Sequence, residues 1–201
     1  GYNTDELRGE LERRGVRLRG HSDTEVLVEG FAAWGVEATI RRFNGMFAFA
    51  AWDRVGRRLV LGRDRLGIKP LYWAKVGQRV LLGSELKALR AADGWQPQVD
   101  RGAVAAFLRH NYVPAPFTGY QGIAKLAPGR LLTVTAEGRV EETVYWDARQ
   151  VMAEAPRADC SEAEAVERLE ALLTDAVHRQ MVSDVPLGAF LSGGIDSSVV
   201  V

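Results

Sequence analysis

The sequence predicts an α+β fold in two parts joined by a linker, and three observations predict it. Apolar residues alternate with polar ones in hairpin-like stretches, which is typical of antiparallel strands. Ser-x-x-Glu capping boxes precede helical apolar spacing in both parts. Near its end the chain passes from an apolar run into a glycine–serine loop, as in the first strand of an α/β unit. We expect the first part at residues 1–147, the linker at 148–160 and the second part at 161–201.

Helices open the first part. Asn3 lies at a helix start and Gly15 at a helix stop. The capping box Ser22-Asp23-Thr24-Glu25 opens a second helix, which Gly35 closes. A short helix around Ile40 follows.

Strands follow from Gly45 onward, where the apolar period changes. The predicted strands lie at 46–52, 59–62, 71–74, 79–82, 131–135 and 140–146. Asp100 caps a helix that runs through Phe107, between the two groups of strands. Residues 148–160 are polar, which predicts the linker.

A long helix begins the second part. Ser161 and Glu164 form its capping box. Apolar residues recur along one face of this helix at Val166, Leu169, Leu172, Leu173, Ala176 and Val177. The apolar run 185–191 predicts a strand, and 199–201 predicts the first turn of another helix.

The loop Ser192-Gly193-Gly194-Ile195-Asp196-Ser197-Ser198 joins that strand to that helix. Two adjacent glycines let the backbone turn sharply and approach a ligand closely. Helix N-terminal N–H groups and three serine hydroxyls favour an anion, and Asp196 can reach a bound Mg²⁺. No Lys or Arg follows Arg179, so the loop differs from the phosphate loop that carries a lysine. We predict a polyphosphate site; a plain strand-to-helix turn is the alternative.

Composition excludes several classes of function. The 201 residues suffice for one large or two small domains, and 26 basic side chains balance 26 acidic ones. We therefore expect no nucleic-acid partner, and no apolar run approaches the ~20 residues that span a membrane. The single cysteine, Cys160, cannot form an internal disulfide and fits a cytoplasmic protein. His21, His110 and His178 are scattered without metal-ligand spacing.

The two ends of the sequence are unusual for a complete domain. The chain starts at Gly1 without Met and stops at Val201, about one turn into a predicted helix. An apolar strand and its phosphate loop stand there without neighbouring strands. We expect this chain to be a fragment of a longer enzyme.

Four motifs then stand in one order along the chain. They are G-M-F-A-F-A-A-W-D at 45–53, R-D-R-L-G-I-K-P-L-Y-W at 63–73, G-S-E-L-K-A-L at 83–89 and V-P-L-G-A-F-L-S-G-G-I-D-S-S at 185–198. Together they resemble the glutamine-hydrolysing asparagine synthetases of the B type, which carry a class II glutamine amidotransferase domain. The resemblance covers essentially the whole chain.

The resemblance implies a fold and a reaction. It implies an Ntn-hydrolase-like αββα glutaminase sandwich followed by an ATP-pyrophosphatase domain. In that family glutamine hydrolysis supplies ammonia through a tunnel to an aspartyl-adenylate, giving asparagine, AMP and pyrophosphate. ATP and Mg²⁺ are the implied cofactors, and glutamine, aspartate and ATP the implied substrates. A homodimer, with no nucleic-acid or membrane partner, is expected with it.

The resemblance also assigns residues. Asp23 matches the carboxylate that holds the α-ammonium of glutamine, although an acid at a helix start is also a favourable dipole contact. The ATP site matches Leu191, Ser192, Gly193, Gly194, Asp196, Ser197 and Ser198, and Asp196 is also the candidate Mg²⁺ ligand. We interpret the motif at 63–73 as a structural turn with paired charges; an anion site is the alternative. Glu85 and Lys87 lie near the expected domain interface.

The chain departs from the family at its start. The family nucleophile is an N-terminal Cys, whereas this chain starts with Gly1, and Cys160 lies in the linker without a free amine. The Asn-Gly-Glu segment of the oxyanion hole and the upstream glutamine-binding Arg are absent. We predict that this piece alone turns over neither glutamine nor ATP. Two alternatives stay open: a β-lactam synthetase-like or other ATP-dependent amidotransferase, and a non-catalytic relative that acts as a binding subunit.

Overall fold

The structure, a computed structural model, describes residues 1–156 and 159–201. Its helices are α1 (Thr4–Arg13), α2 (Asp23–Trp34), α3 (Val36–Arg42), α4 (Leu86–Arg90), α5 (Arg101–His110), α6 (Ala148–Glu154), α7 (Glu162–Gln180) and α8 (Ile195–Val200). Its strands are β1 (Ala48–Asp53), β2 (Arg58–Arg63), β3 (Tyr72–Val76), β4 (Arg79–Gly83), β5 (Ala124–Lys125), β6 (Arg130–Thr135) and β7 (Val140–Val144). The hairpins and helices predicted for the first part are confirmed.

Two antiparallel sheets form the centre of the first part. The larger has the order β1-β2-β6-β7 and the smaller the order β4-β3-β5. In the larger sheet Leu61 pairs with both Ala50 and Leu132. Because successive side chains of a strand point to opposite faces, Val60 and Leu61 enter two different cores.

Three hydrophobic cores stack in this part. The first lies between helices α1–α3 and the larger sheet, and its buried members are Leu7, Leu11, Val26, Ile40, Phe43, Phe47, Val60, Leu131 and Tyr145. The second lies between the two sheets, with Leu61, Leu71, Leu126, Leu132 and Val134. The third covers the outer face of the smaller sheet, where Leu89 of α4 packs with Ala74 and Ile123. Helix, sheet, sheet and helix therefore follow one another, which confirms the expected αββα layering.

The motif at 63–73 forms a structural turn, as interpreted. The Arg63 guanidinium donates to three backbone carbonyl oxygens, those of Gly67 (2.6 Å), Lys69 (2.8 Å) and Leu126 (2.7 Å). Burial lowers the pKa of Arg63, while the neighbouring Asp64 acts in the opposite direction. Each of the three guanidinium nitrogens thus donates to a backbone carbonyl of the fold, which favours the structural turn over an anion site.

Asp64 completes the same turn from inside. Its carboxylate is 1% exposed and accepts from the backbone N–H groups of Ile68 (2.9 Å), Lys69 (2.9 Å) and Phe47 (3.3 Å). Arg65 donates to backbone carbonyls of the α3 segment. The expectation of paired charges needs correction, because these side chains bond to backbone groups and not to one another.

The predicted linker at 148–160 contains a helix. Asp147 caps α6 by accepting from the Arg149 N–H at 2.9 Å. Aspartate is a preferred helix N-cap, so the sequence already contained this signal, and the cap explains why a helix forms here. Residues 157 and 158 of the linker lie outside the described residues.

The second part is helical but lacks the predicted strand. The capping box is confirmed, because the Ser161 hydroxyl accepts from the Glu164 N–H and the Glu164 carboxylate accepts from the Ser161 N–H. Residues 185–191 form no strand, since none of the strands in the described residues lies beside them to complete a hydrogen-bond ladder. Among the helices of residues 1–156 and 159–201, none combines the length and the hydrophobicity that a membrane span requires.

Candidate functional site

Asp23 is the first residue of α2. The helix is capped by Ser22, whose hydroxyl accepts from the Thr24 N–H at 3.1 Å. The Asp23 side chain is 53% exposed, and its Oδ2 accepts from the α-ammonium of Gly1 at 3.0 Å. This carboxylate is thus open to solvent.

The segment that carries Gly1 is fixed beside α2 by backbone and side-chain bonds. The Tyr2 N–H donates to the Asn44 carbonyl at 2.7 Å. Asn3 accepts from the Asn44 N–H (2.8 Å) through Oδ1 and donates to the Arg42 carbonyl (2.9 Å) through Nδ2. Chain positions 1–3 are therefore tied to the end of α3, close to Asp23.

Glu25 departs from the predicted capping box. Its carboxylate does not turn back to Ser22 but accepts from the backbone N–H groups of Arg19 (2.6 Å) and Gly20 (2.8 Å), one on each oxygen. These two bonds, with Arg8 nearby, lower the pKa of Glu25. Arg8 on α1 donates to the Gly20 carbonyl at 2.9 Å. The loop before Asp23 is thus held on both sides of Gly20 by side chains.

The glycine–serine loop turns as its sequence predicts. Gly193 has a φ of +78°, in the left-handed region that favours glycine, and Gly194 is the N-cap of α8. The Ser192 and Ser197 hydroxyls lie 3.0 Å apart. Ser197 and Ser198 donate to the Gly194 carbonyl at 3.0 and 2.9 Å. Each of these hydroxyl oxygens is an acceptor as well as a donor, so rotation about the side chain can redirect the proton to a ligand.

Asp196 lies in the first turn of α8 and is exposed, as are Leu191 and its neighbour Phe190. A single carboxylate with nearby hydroxyl oxygens suits Mg²⁺, which keeps waters and phosphate oxygens as its other ligands. No group of three His, Cys, Asp or Glu side chains that could hold a metal occurs in residues 1–156 and 159–201. The residues present therefore offer a metal one carboxylate and hydroxyl oxygens, so other ligands would have to complete its coordination.

The structure does not bring the two predicted sites together. Within the described chain, no hydrogen bond or ion pair joins Asp23 to the residues of 191–198. An ion pair does join the two parts elsewhere: Arg179 of α7 lies 3.0 Å from Glu6 of α1 and 2.8 Å from Asp175. Both carboxylates raise the pKa of Arg179. A cleft of about 440 Å³ lies beside this pair, between α7 and the turn at 64–68.

The remaining candidates have ordinary surroundings. Glu85 and Lys87 form an exposed ion pair at 2.6 Å. Cys160 is half-buried with a free thiol, and the three histidines are exposed. Sequence reasoning missed Arg8 and Glu25 as partners of the loop before Asp23. Glu25 was visible only as the last residue of a capping box, and no local pattern links Arg8 to Gly20.

Comparison with known families and curated proteins gives consistent matches. The family profile described as glutamine amidotransferase domain matches residues 1–146, and that described as asparagine synthase matches residues 168–201. Asparagine synthetase [glutamine-hydrolyzing] 3 of Bacillus subtilis (strain 168) is 39% identical over 200 residues, which are 99% of this chain and 31% of that protein. Asparagine synthetase [glutamine-hydrolyzing] 1 of the same organism is 36% identical over 202 residues, 100% of this chain and 30% of that protein. The chain thus spans about a third of the length of these relatives.

A solved structure shares the fold over most of this chain. It is the glutamine phosphoribosylpyrophosphate (PRPP) amidotransferase from B. subtilis complexed with ADP and GMP, which covers 72% of this chain with a TM-score of 0.50 and 20% identity. The match covers 27% of that protein's chain. The first part therefore has the Ntn-hydrolase-like fold expected from the sequence.

Proposed function

Because this chain belongs to the family of glutamine amidotransferase domains, we propose that it is part of a glutamine-hydrolysing asparagine synthetase, a carbon–nitrogen ligase with glutamine as amide donor. In the proposed reaction, ATP adenylates the side-chain carboxylate of aspartate and releases pyrophosphate, and ammonia from glutamine then displaces AMP to give asparagine. The observation that carries the proposal is the succession of two family profiles, glutamine amidotransferase and then asparagine synthase, in one chain.

In the glutaminase half, Asp23 would bind the α-ammonium of glutamine. Support comes from its carboxylate, which is 53% exposed at the start of α2 and therefore open to a ligand. An ammonium–carboxylate contact fixes the amino-acid end of the substrate and leaves the side-chain amide free to reach a nucleophile. The proposal thus assigns Asp23 substrate binding and not the bond-breaking step.

In the synthetase half, the loop 192–198 would bind ATP. Leu191 would offer its backbone to the adenylate, and Ser192, Gly193, Gly194, Ser197 and Ser198 would surround the polyphosphate. Asp196 would hold Mg²⁺, which neutralises phosphate charge when it is bound. The left-handed Gly193 and the serine hydroxyls support this assignment, because the backbone turns sharply there and each hydroxyl can rotate to present its proton to a ligand.

The proposed domain division follows the predicted boundaries. We assign the glutaminase domain to 1–147, the linker to 148–160 and the start of the synthetase domain to 161–201. Supporting this division, the family profiles end at 146 and begin at 168. A cytoplasmic enzyme fits the free thiol of Cys160. The homodimer stays a prediction.

Isotope exchange between pyrophosphate and ATP in the full-length protein tests the proposal. Exchange that depends on aspartate, together with glutamate release from glutamine, is the expected result. Exchange that depends on a different acid would move the assignment to another ATP-dependent amidotransferase. A full-length protein without exchange or glutamate release would be a non-catalytic relative, and the proposal would be wrong.

A further inference from the structure

We propose that Glu25, assisted by Arg8, is a positioning residue of the glutamine site, which fixes the loop that sets the place of Asp23. This inference rests on the proposed function, because it concerns the same candidate substrate carboxylate. Glu25 has no contact with substrate in this assignment and acts through the backbone alone.

Asp23 depends on its backbone for its position. Its carboxylate is 53% exposed, and within the described residues no side chain donates a hydrogen bond to it. Hence no neighbouring side chain steers this carboxylate, and the start of α2 decides where it lies. That start is set by the loop at 19–22, which leads into the helix.

Glu25 holds this loop from the helix side. Each of its two carboxylate oxygens accepts one of two consecutive N–H groups, those of Arg19 and Gly20. A carboxylate that accepts two backbone N–H groups makes stronger bonds than a neutral acceptor does. Because Glu25 lies in the first turn of α2, these bonds hold the loop against the start of that helix.

Arg8 holds the same loop from the other side. Its Nη1 donates to the Gly20 carbonyl at 2.9 Å, so the N–H and the C=O of this one residue are both bonded to side chains. Arg8 lies on α1, next to the buried Leu7, which anchors α1 in the core. The loop is therefore tied to the rigid core through Arg8 and to α2 through Glu25.

Substitution Glu25→Gln in the full-length protein tests the positioning role. Glutamine keeps one acceptor oxygen but presents an NH₂ group to the second backbone N–H, so one of the two bonds is lost. We expect the KM for glutamine to rise roughly tenfold, with kcat within about twofold of wild type. Synthesis from free ammonia should be unchanged, because ammonia bypasses glutamine binding.

The matched control is Glu29→Gln. Glu29 lies one turn further along α2, and its carboxylate makes no hydrogen bond or ion pair with any residue that the structure describes. It carries the same change of charge, so its KM and kcat should match those of wild type. If Glu25→Gln fails to fold, Arg8→Met replaces it and should raise the same KM several-fold.

Amide hydrogen exchange supplies a readout independent of turnover. Exchange at Arg19 and Gly20 should become at least about tenfold faster in Glu25→Gln and stay unchanged in Glu29→Gln. Unchanged exchange or unchanged KM in Glu25→Gln would overturn the positioning role alone. An equal loss of glutamine- and ammonia-dependent synthesis would make Glu25 merely structural. A wild-type protein that hydrolyses no glutamine would instead overturn the proposed function, and the role of Glu25 with it.

Discussion

The two parts of the chain use the same local signals but differ in what surrounds them. In the first part α2 is capped by Ser22 and buries Val26 in a core. In the second part α7 has the complete capping box of Ser161. The structure describes the whole of α7 and α8, and neither helix has a buried residue. A cap and helical spacing thus suffice to specify a helix, whereas burial requires partner elements.

The largest expected effect is on core packing. Leu61 is 0% exposed between the two sheets, and Leu169 on α7 is 56% exposed. Leu61→Ala should lower the free energy of unfolding by about 3 kcal/mol, because it removes buried methyl groups and leaves a cavity. Leu169→Ala should change it by less than about 0.5 kcal/mol. Denaturant titration followed by tryptophan fluorescence measures both, and equal effects would contradict the contrast between the two parts.

Two aspartates extend the comparison between the two parts, with a smaller expected effect on the free energy of unfolding. Asp64 is buried and accepts three backbone N–H groups, whereas Asp196 is exposed in the first turn of α8. Asp64→Asn should cost about 2 kcal/mol of stability, since an amide places a donor against N–H groups. Asp196→Asn should leave the unfolding free energy within about 0.5 kcal/mol of wild type. A strongly destabilised Asp196→Asn chain would show that the loop holds the fold together and is not open to a ligand.

Local patterns predicted most elements of the first part, because each is encoded by neighbours in sequence. The hairpins and the cap at Asp100 are examples. The strand predicted at 185–191 was wrong, because a strand forms only when it hydrogen-bonds to another strand. Residues that are neighbours in sequence do not specify such a partner. The helix α6 was not predicted, because the polar composition of residues 148–160 indicated a linker and outweighed the helix cap at Asp147.

Some features of the candidate site could be predicted from the sequence, and others could not. The turn at Gly193 and the helix start at Gly194 follow from local backbone chemistry, so the sequence predicted the geometry of this loop. The bonds that hold the loop before Asp23 could not be predicted fully. Glu25 accepts from a backbone N–H six residues earlier, and Arg8 donates to a backbone carbonyl twelve residues later. No periodic pattern in the sequence indicates such contacts. Ligand roles of Asp23 and of 191–198 stay predictions.

Capping residues give a third test. Ser161→Ala should remove about 1 kcal/mol from the start of α7, and since this helix has no buried face the loss should appear as fraying of its first turn. Ser22→Ala removes a comparable cap, but the packing of Val26 should keep α2 intact. Amide exchange at the two helix starts measures the difference. Fraying of both helices to the same extent would mean that packing does not protect α2.

The smallest expected effect is the response to acid, and it sharpens the comparison because the same chemistry occurs in both parts. Two backbone N–H groups lower the pKa of Glu25, and the Ser161 N–H and hydroxyl lower that of Glu164. A carboxylate whose pKa is lowered by folding contributes stability above its ordinary pKa, about 4.5, and loses it as pH falls through the lowered value. Glu25 should therefore release the loop at 19–20 in acid, and Glu164 the first turn of α7.

Carboxyl and amide NMR titrations between neutral pH and pH 2 follow both groups. The Gly20 amide should shift with the titration of Glu25, and the Ser161 amide with that of Glu164. Glu25→Gln and Glu164→Gln should each abolish one of these shifts and leave the other, because the two carboxylates hold different segments. In the first part α2 should stay folded while its loop opens, since its core contacts do not titrate. In the second part the acid should also reduce the helicity of α7, because its exposed first turn has no core contact to replace the cap.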